Sequence, residues 1–410
     1  MRGLRWFWHE LTRPRGSQQH RYYRVGRGSR SGVALLMVIT SLLLITIIGT
    51  ETTKGAMVRL RLAANQRDEA KAEALAETGL QMYRLILVVS KGMGQQMGAM
   101  LQQFGMGGDT LWQMVPFINT GLMRMLLVSG PSADEDDLAE LQTEGLTDEQ
   151  LAESREDGKG TTRRNFLDFD GDFFAEVRDE NSKIYVGAFQ ATTYADLLED
   201  PAALRLYGLM SGLENDQFFY DTNIDRWELI GNLADWTDAD DMRLYQGGSE
   251  MSLYDRLEDP YQPKNAGFES MSELRLVDGW HRDDVWERFG EQMTIYGNGQ
   301  VNINSAPPEV LSALLRAYVT PNTPDYIATL LQEIAVYKSI SSYPNAAGFQ
   351  QHLESLGATV NPGLAQAVGT ESTIFHVTST GQVGQAVVTI DAIIDFSSSQ
   401  IGEIVYWRIL

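Results

Sequence analysis

From Val33 to Ile48 the chain is apolar except for Thr40, Ser41 and Thr46. No other stretch limits the possible folds so strongly, because a helix this apolar needs either a bilayer or a core around its whole circumference. Gly49 and Thr50 lengthen it before Glu51, which brings it near the roughly 20 residues of a membrane span. The hydroxyls can bond to carbonyls of their own helix, so they do not forbid lipid. Upstream stand Arg2, Arg5, Arg13, Arg15, Arg21, Arg24, Arg27 and Arg30 against Glu10 alone. Basic residues on one flank hold that flank in the cytoplasm. The expectation is a single-pass protein with a cytoplasmic N-terminus and an exported body.

A secretory signal peptide carries its cleavage site after the apolar core. Here Gly32 precedes it. Cleavage between Gly32 and Val33 would leave the apolar helix on the mature protein, an arrangement that resembles the class III leader of type IV pilins and type II secretion pseudopilins. That resemblance implies processing by a prepilin peptidase, and methylation of the new N-terminus is an open question. Most members of that superfamily have glutamate at the fifth mature position, where this chain has Met37.

Beyond the leader the chain is acidic. Its net charge of −22 includes the basic leader, so the remainder is more negative still. Such a body repels nucleic-acid phosphates and suits divalent cations or a solvated exterior. There is no cysteine, which removes disulfides, thiol nucleophiles and thiolate metal sites. His281, His352 and His376 are too scattered to suggest zinc. No nucleophile-elbow pattern and no acid and base pair with a definable pocket occur, so no enzyme activity is expected.

The chain reads as a succession of segments. A leader (1–32) is followed by a transmembrane and stalk helix (33–91), whose apolar positions Met57, Leu60, Ala64, Ala72, Leu75, Leu80 and Tyr83 approximate helical spacing. A Met-rich and then acidic insertion (92–160) reads either as partner-packing helix-turn-helix material or as a loose expansion, and its Ser132 to Gly160 part as an exposed linker. The first part of a sheet (161–192) follows, with Phe173–Arg178 and Lys183–Val186 read as a hairpin. Strands return only at Thr373–Ser379, Ala386–Phe396 and Ile404–Ile409, within the last segment (358–410). The intervening residues (193–357) read as an inserted helical domain, with helices at 196–210, 225–234, 270–277, 282–289, 307–317, 324–337 and 346–356, and Ser305 and Thr323 as caps.

Specific blocks lie inside that inserted region: Asp235-Trp236-Thr237-Asp238-Ala239-Asp240-Asp241, Gly247-Gly248-Ser249-Glu250 with Tyr254, Pro260-Tyr261-Gln262-Pro263-Lys264-Asn265 with Phe268, Glu273-Leu274, Thr294-Ile295-Tyr296-Gly297 and Val301-Asn302-Ile303-Asn304. In this order they resemble the K-type minor pseudopilin of type II secretion systems. The resemblance runs from Gly32 to the C-terminus except for the 92–160 region. It implies an α+β pseudopilin fold, a long N-terminal helix on an antiparallel sheet, with a large inserted helical domain. It also implies a non-enzymatic subunit at the filament tip, which primes assembly with I-type and J-type minor pseudopilins and the major pseudopilin filament and so supports secretion across the outer membrane. The K type lacks the fifth-position glutamate, in keeping with Met37.

Asp235, Asp238, Asp240 and Asp241 crowd one short segment, with Glu250 close behind. Clustered carboxylates with backbone carbonyls supply the six to eight oxygens that calcium takes. The plain alternative is a solvated acidic turn. Calcium is also what the resemblance implies, and Asp238, Asp240, Asp241 and Glu250 are the expected ligands. Asp168-Phe169-Asp170-Gly171-Asp172 lacks a downstream glutamate at EF-hand spacing and reads as a turn. Two other functions fit part of the pattern. A minor pilin of a type IV pilus would share the leader but lack the inserted domain. A helix-hairpin-helix DNA binder would need basic residues around Asn302–Leu315, where only Arg316 and Lys338 are near, so no nucleic-acid partner is expected.

Overall fold

A computed structural model describes residues 30–103, 111–123 and 170–410. The leader upstream of Arg30, the acidic stretch from Ser132 to Gly160, and Asp168 and Phe169 of the proposed turn lie outside the described residues. The chain divides into two units at Ala64/Asn65, and helix α1 (Arg30–Gln103) contributes to both.

In the first unit the helix is exposed on every side. Val33, Leu36, Ile39, Leu43 and Ile47 are all more than half exposed, and so are Met57 and Leu60 farther along. Thr40 Oγ1 donates to Leu36 O at 3.0 Å and Thr46 Oγ1 to Leu42 O at 2.8 Å, which satisfies the hydroxyls without water. This helix is long and apolar enough to cross a membrane, and it is compatible with a single-pass anchor.

In the second unit the character of α1 changes. Ala72, Leu75, Ala76, Leu80, Tyr83 and Leu87 recur at three- and four-residue steps and are buried. They cover one face of a five-stranded antiparallel sheet made of β1 (Phe117–Asn119), β2 (Asp172–Asp179), β3 (Ile374–Val383), β4 (Ala386–Asp395) and β5 (Glu403–Ile409) in that spatial order. Alternate residues of β2 (Phe173, Ala175, Val177) and of β4 (Ile390, Ala392, Ile394) meet the helix. The approach is close at Gly381, where an added Cβ would collide with the backbone of Ala72 and Ala76.

β2 and β3 are adjacent and antiparallel, from Asp172 opposite Gln382 to Asp179 opposite Phe375, although nearly two hundred positions separate them in the chain. Those residues form the inserted module with its own core, including Trp236, Trp280, Phe289, Leu314, Tyr343 and Phe349. The helices expected there are present with shifted ends. One expected helix at 196–210 is two, Tyr194–Leu197 and Pro201–Leu209, because Asp200 caps the second and Pro201 starts it. A helix at Leu213–Thr222 was not expected. Residues 271–276 form a 3-10 helix instead of an α-helix.

Three expectations need correction. Phe173–Arg178 and Lys183–Val186 are not a hairpin. Glu180–Ser182 forms a 3-10 turn capped by Asp179, and Ile184–Tyr185 pairs in parallel with Met293–Thr294, so Ile184 and Val186 enter the module core. Ser305 does not cap the helix Pro308–Tyr318, whose N-cap is Pro307; its hydroxyl donates to Asp179. Thr323 occupies the N-cap of Pro324–Ile340 but makes no side-chain capping bond. Within the Met-rich region, α1 continues to Gln103, and Trp112, Ile118 and Met123 are buried against the sheet, with Phe117–Asn119 as its edge strand.

Candidate metal centre

Helix Arg226–Thr237 ends where Asp238 closes it, its N–H donating to Ala234 O at 3.1 Å. Asp235 and Asp238 are three residues apart and therefore meet on one side of the helix end. The chain then turns back through Gln246, Gly247 and Gly248, all at positive φ (60°, 68° and 99°), where the two glycines meet nothing that a side chain would fill. A bridge between Met242 and Ser249, and a bond from Arg243 N to Gly248 O at 3.0 Å, close this loop. Glu250 follows, its N–H donating to Asp241 O at 3.1 Å, which brings its side chain back toward the helix end.

One carboxylate oxygen each from Asp235, Asp238 and Glu250 lies within 4.8 Å of the others. Asp235 is 3% exposed and Glu250 1%. Asp235 Oδ1 accepts from Leu244 N at 3.0 Å, while its Oδ2 and both oxygens of Glu250 have no partner. Burial pushes the Asp235 carboxyl up to about 7, with the Leu244 bond opposing and Asp238 adding to the rise. Burial first, and then Asp235, Asp238, Asp240 and Asp241, push Glu250 up to about 8. Asp238 is half-buried and also raised, chiefly by burial. Three buried acidic oxygens without donors are the arrangement a cation would neutralise.

The structure thus brings two of the four expected ligands together, Asp238 and Glu250, and adds Asp235. Asp240 and Asp241 are exposed beside them. Asp240 Oδ1 accepts from Met242 N at 2.7 Å, and Asn265 donates to Asp240 O at 2.8 Å and to Asp241 Oδ1 at 3.3 Å. Asp235 was legible through its spacing from Asp238, but a position at a helix end hides the direction of its side chain. Next to Asp235 in the chain, Trp236 is buried and packs edge-on against Tyr254 and Tyr261. Hard oxygens of this kind fit calcium, with carbonyls and water completing the shell. Gly32 and Val33, where processing is expected, lie in the first turns of α1, with Val33 62% exposed.

This site lies within residues 187–289, which match the family model described as type II secretion system (T2SS), protein K. The match spans about a quarter of the chain. It covers the helix end, the loop and Glu250, and it stops before β3, β4 and β5. A chain in the crystal structure of the GspK-GspI-GspJ complex from the enterotoxigenic Escherichia coli type 2 secretion system is similar at 15% identity and a TM-score of 0.40, over 59% of this chain and 80% of that one. Comparison with curated proteins gave no match.

Proposed function

We propose that this chain is a K-type minor pseudopilin, which caps the tip of a type II secretion pseudopilus and primes its assembly with I-type and J-type minor pseudopilins. The observation that carries the reading is the protein K match over a module inserted between neighbouring strands of a sheet that lies on the N-terminal helix. Such a module adds bulk beside the filament-forming helix, as a cap against further subunit addition requires. Met37 supports the same place in the filament, since a subunit with no neighbour ahead of it has no N-terminal amine to neutralise. The exposed apolar face from Val33 to Ile48, continued by Met57 and Leu60, supplies surface for the inner membrane and then for the major pseudopilin. The topology that accompanies this reading is a cytoplasmic N-terminus with the sheet and module in the periplasm.

In the same reading Asp235, Asp238 and Glu250 hold a structural calcium ion, with Asp240 and Asp241 adding negative charge beside it. The ion would supply positive charge to buried oxygens that have no internal donor. No acid and base work is assigned to these groups, and the function needs no catalysis.

Mass spectrometry of the N-terminus after expression with a prepilin peptidase tests the pathway. A mature chain beginning at Val33 is expected, methylated or not. An intact Met1, or a cut beyond Ile48, overturns the proposal.

A further inference from the structure

A separate cavity of about 570 Å³ opens in the inserted module, walled in part by Tyr185, Arg205, Gly299, Tyr318, Asn361 and Gln366. Arg205 lies on the helix Pro201–Leu209 and is 5% exposed. Its guanidinium is held on one side only, where Nη1 donates to Gly299 O at 2.6 Å. Nε has no partner. Nη2 makes no hydrogen bond among the described residues and stands at the cavity wall, where a Cβ added to Gly299 would come within 3.7 Å of it.

No carboxylate among the described residues lies within ion-pair distance of Arg205. Asp200 also lines the cavity, but its oxygens are taken by the N–H groups of Ala202 at 2.7 Å, Ala203 at 3.1 Å and Gln190 at 2.8 Å. It acts on Arg205 only through space, and burial lowers the guanidinium pKa despite it. The buried hydroxyl of Tyr318 is also without a partner. An arginine kept nine-tenths buried with one edge free has a fork that fits a carboxylate with two parallel bonds.

We propose that this cavity is a binding site for a carboxylate-bearing ligand, whose anionic head takes the free edge of Arg205 while its body lies along Tyr185, Asn361 and Gln366. The carboxylate belongs either to a small organic acid or to the C-terminus of a peptide, and both present the same group to the fork. The site is independent of the acidic cluster and of the tip assignment, neither of which uses Arg205.

The test is thermal unfolding of the full chain in detergent, at matched ionic strength and constant pH, with four probes. These are N-acetylglycine as its carboxylate, N-acetyl-trialanine as its carboxylate, and the amide of each. A saturable rise in melting temperature with the acids and none with the amides is expected. Arg205→Met should weaken the response at least tenfold, the loss that follows from removing a charged hydrogen-bond donor. If that variant does not fold, Ala188→Trp serves instead, because Ala188 is an exposed residue of the cavity wall and its replacement blocks the space without entering the core. A stronger response to the tripeptide identifies a chain terminus as the ligand, and equal responses identify a small acid; both uphold the site. No response to either acid, an equal response to the amides, or an undiminished response in both variants overturns it.

Discussion

Two pairs of buried acids behave differently in this molecule. At the end of β2, Asp179 accepts from Asn181 N at 2.8 Å and from the hydroxyls of Ser305 and Ser372, and Glu180 lies 2.6 Å from Lys183 Nζ and 3.5 Å from His376 Nδ1. At the end of helix Arg226–Thr237, Asp235 and Glu250 have three oxygens among them with no donor. The first pair is neutralised from within. Burial works against the Glu180 charge, but His376 and Lys183 outweigh it and hold the carboxyl down at about 2. Burial raises Asp179 to about 6 even so, against the pull of its two serines. The second pair has burial and neighbouring carboxylates raising it, with the Leu244 bond and Arg243 opposing only at Asp235. The first joins the module to the sheet, since Ser305 belongs to one and β2 and β3 to the other; the second sets the shape of a loop within the module.

The contrast breaks first at Asp179. Asp179→Ala should lower stability by roughly 4 kcal/mol, because three donors lose their acceptor at about 1–3 kcal/mol each when buried. Denaturant titrations with and without calcium should give the same loss. A loss that depends on calcium would mean that the two pairs are not separate.

Removing calcium from the wild type should cost about 3 kcal/mol, the stabilisation expected of a ligand present at roughly 100 times its Kd. An unchanged melting temperature in excess chelator contradicts the assignment of the acidic cluster. Asp235→Asn combined with Glu250→Gln should abolish the calcium response while leaving the chelated protein at least as stable as the wild type at pH 8, since the uncompensated charge is gone.

The pH profile sharpens the comparison, because the groups of the two pairs are shifted in different directions. Asp179, Asp235 and Glu250 hold their protons up to about 6, 7 and 8 when folded, but lose them near 4 when unfolded. The folded state therefore binds more protons between pH 4 and 8, and in chelator its stability should fall as pH rises across that window. Calcium should flatten the part above pH 6, and its binding should release protons there. Glu180 has the opposite sign: its contribution is complete above pH 4 and is lost as pH falls toward 2. Melting curves at steps of pH, with and without calcium, check both. The smallest expected effect is that of Asp240→Ala with Asp241→Ala, which should weaken the calcium response by about 1 kcal/mol, as loss of nearby but exposed charge does.

Much of this architecture was legible in local patterns. The apolar run from Val33 to Ile48 and the spacing of Ala72, Leu75, Leu80 and Tyr83 gave the helix and its buried face, because helical periodicity is written in neighbouring residues. The return of strands after 373 gave the split sheet. The false hairpin came from the same kind of evidence, since Phe173–Arg178 and Lys183–Val186 both suit strands, and only the module core decides that Ile184 pairs with Met293. Phe117–Asn119 was hidden for the opposite reason: three residues among methionines and glycines carry no period, and their pairing with β2 is set by tertiary contacts. At the acidic cluster composition pointed to the loop where Asp238 and Glu250 converge, but it could not tell buried Asp235 from exposed Asp240 and Asp241. Arg205 gave no signal at all, because an arginine in a helix reads as surface until the fold encloses it.

Under the proposed function this chain is the K-type subunit of a tip complex. That assignment is tested most directly by co-expressing the full chain with I-type and J-type minor pseudopilins, extracting the membranes in detergent with calcium present, and weighing the purified species. The account predicts a single ternary complex that is recovered through a tag on any of the three. A chain that is folded and processed at Val33 but recovered only by itself would contradict it.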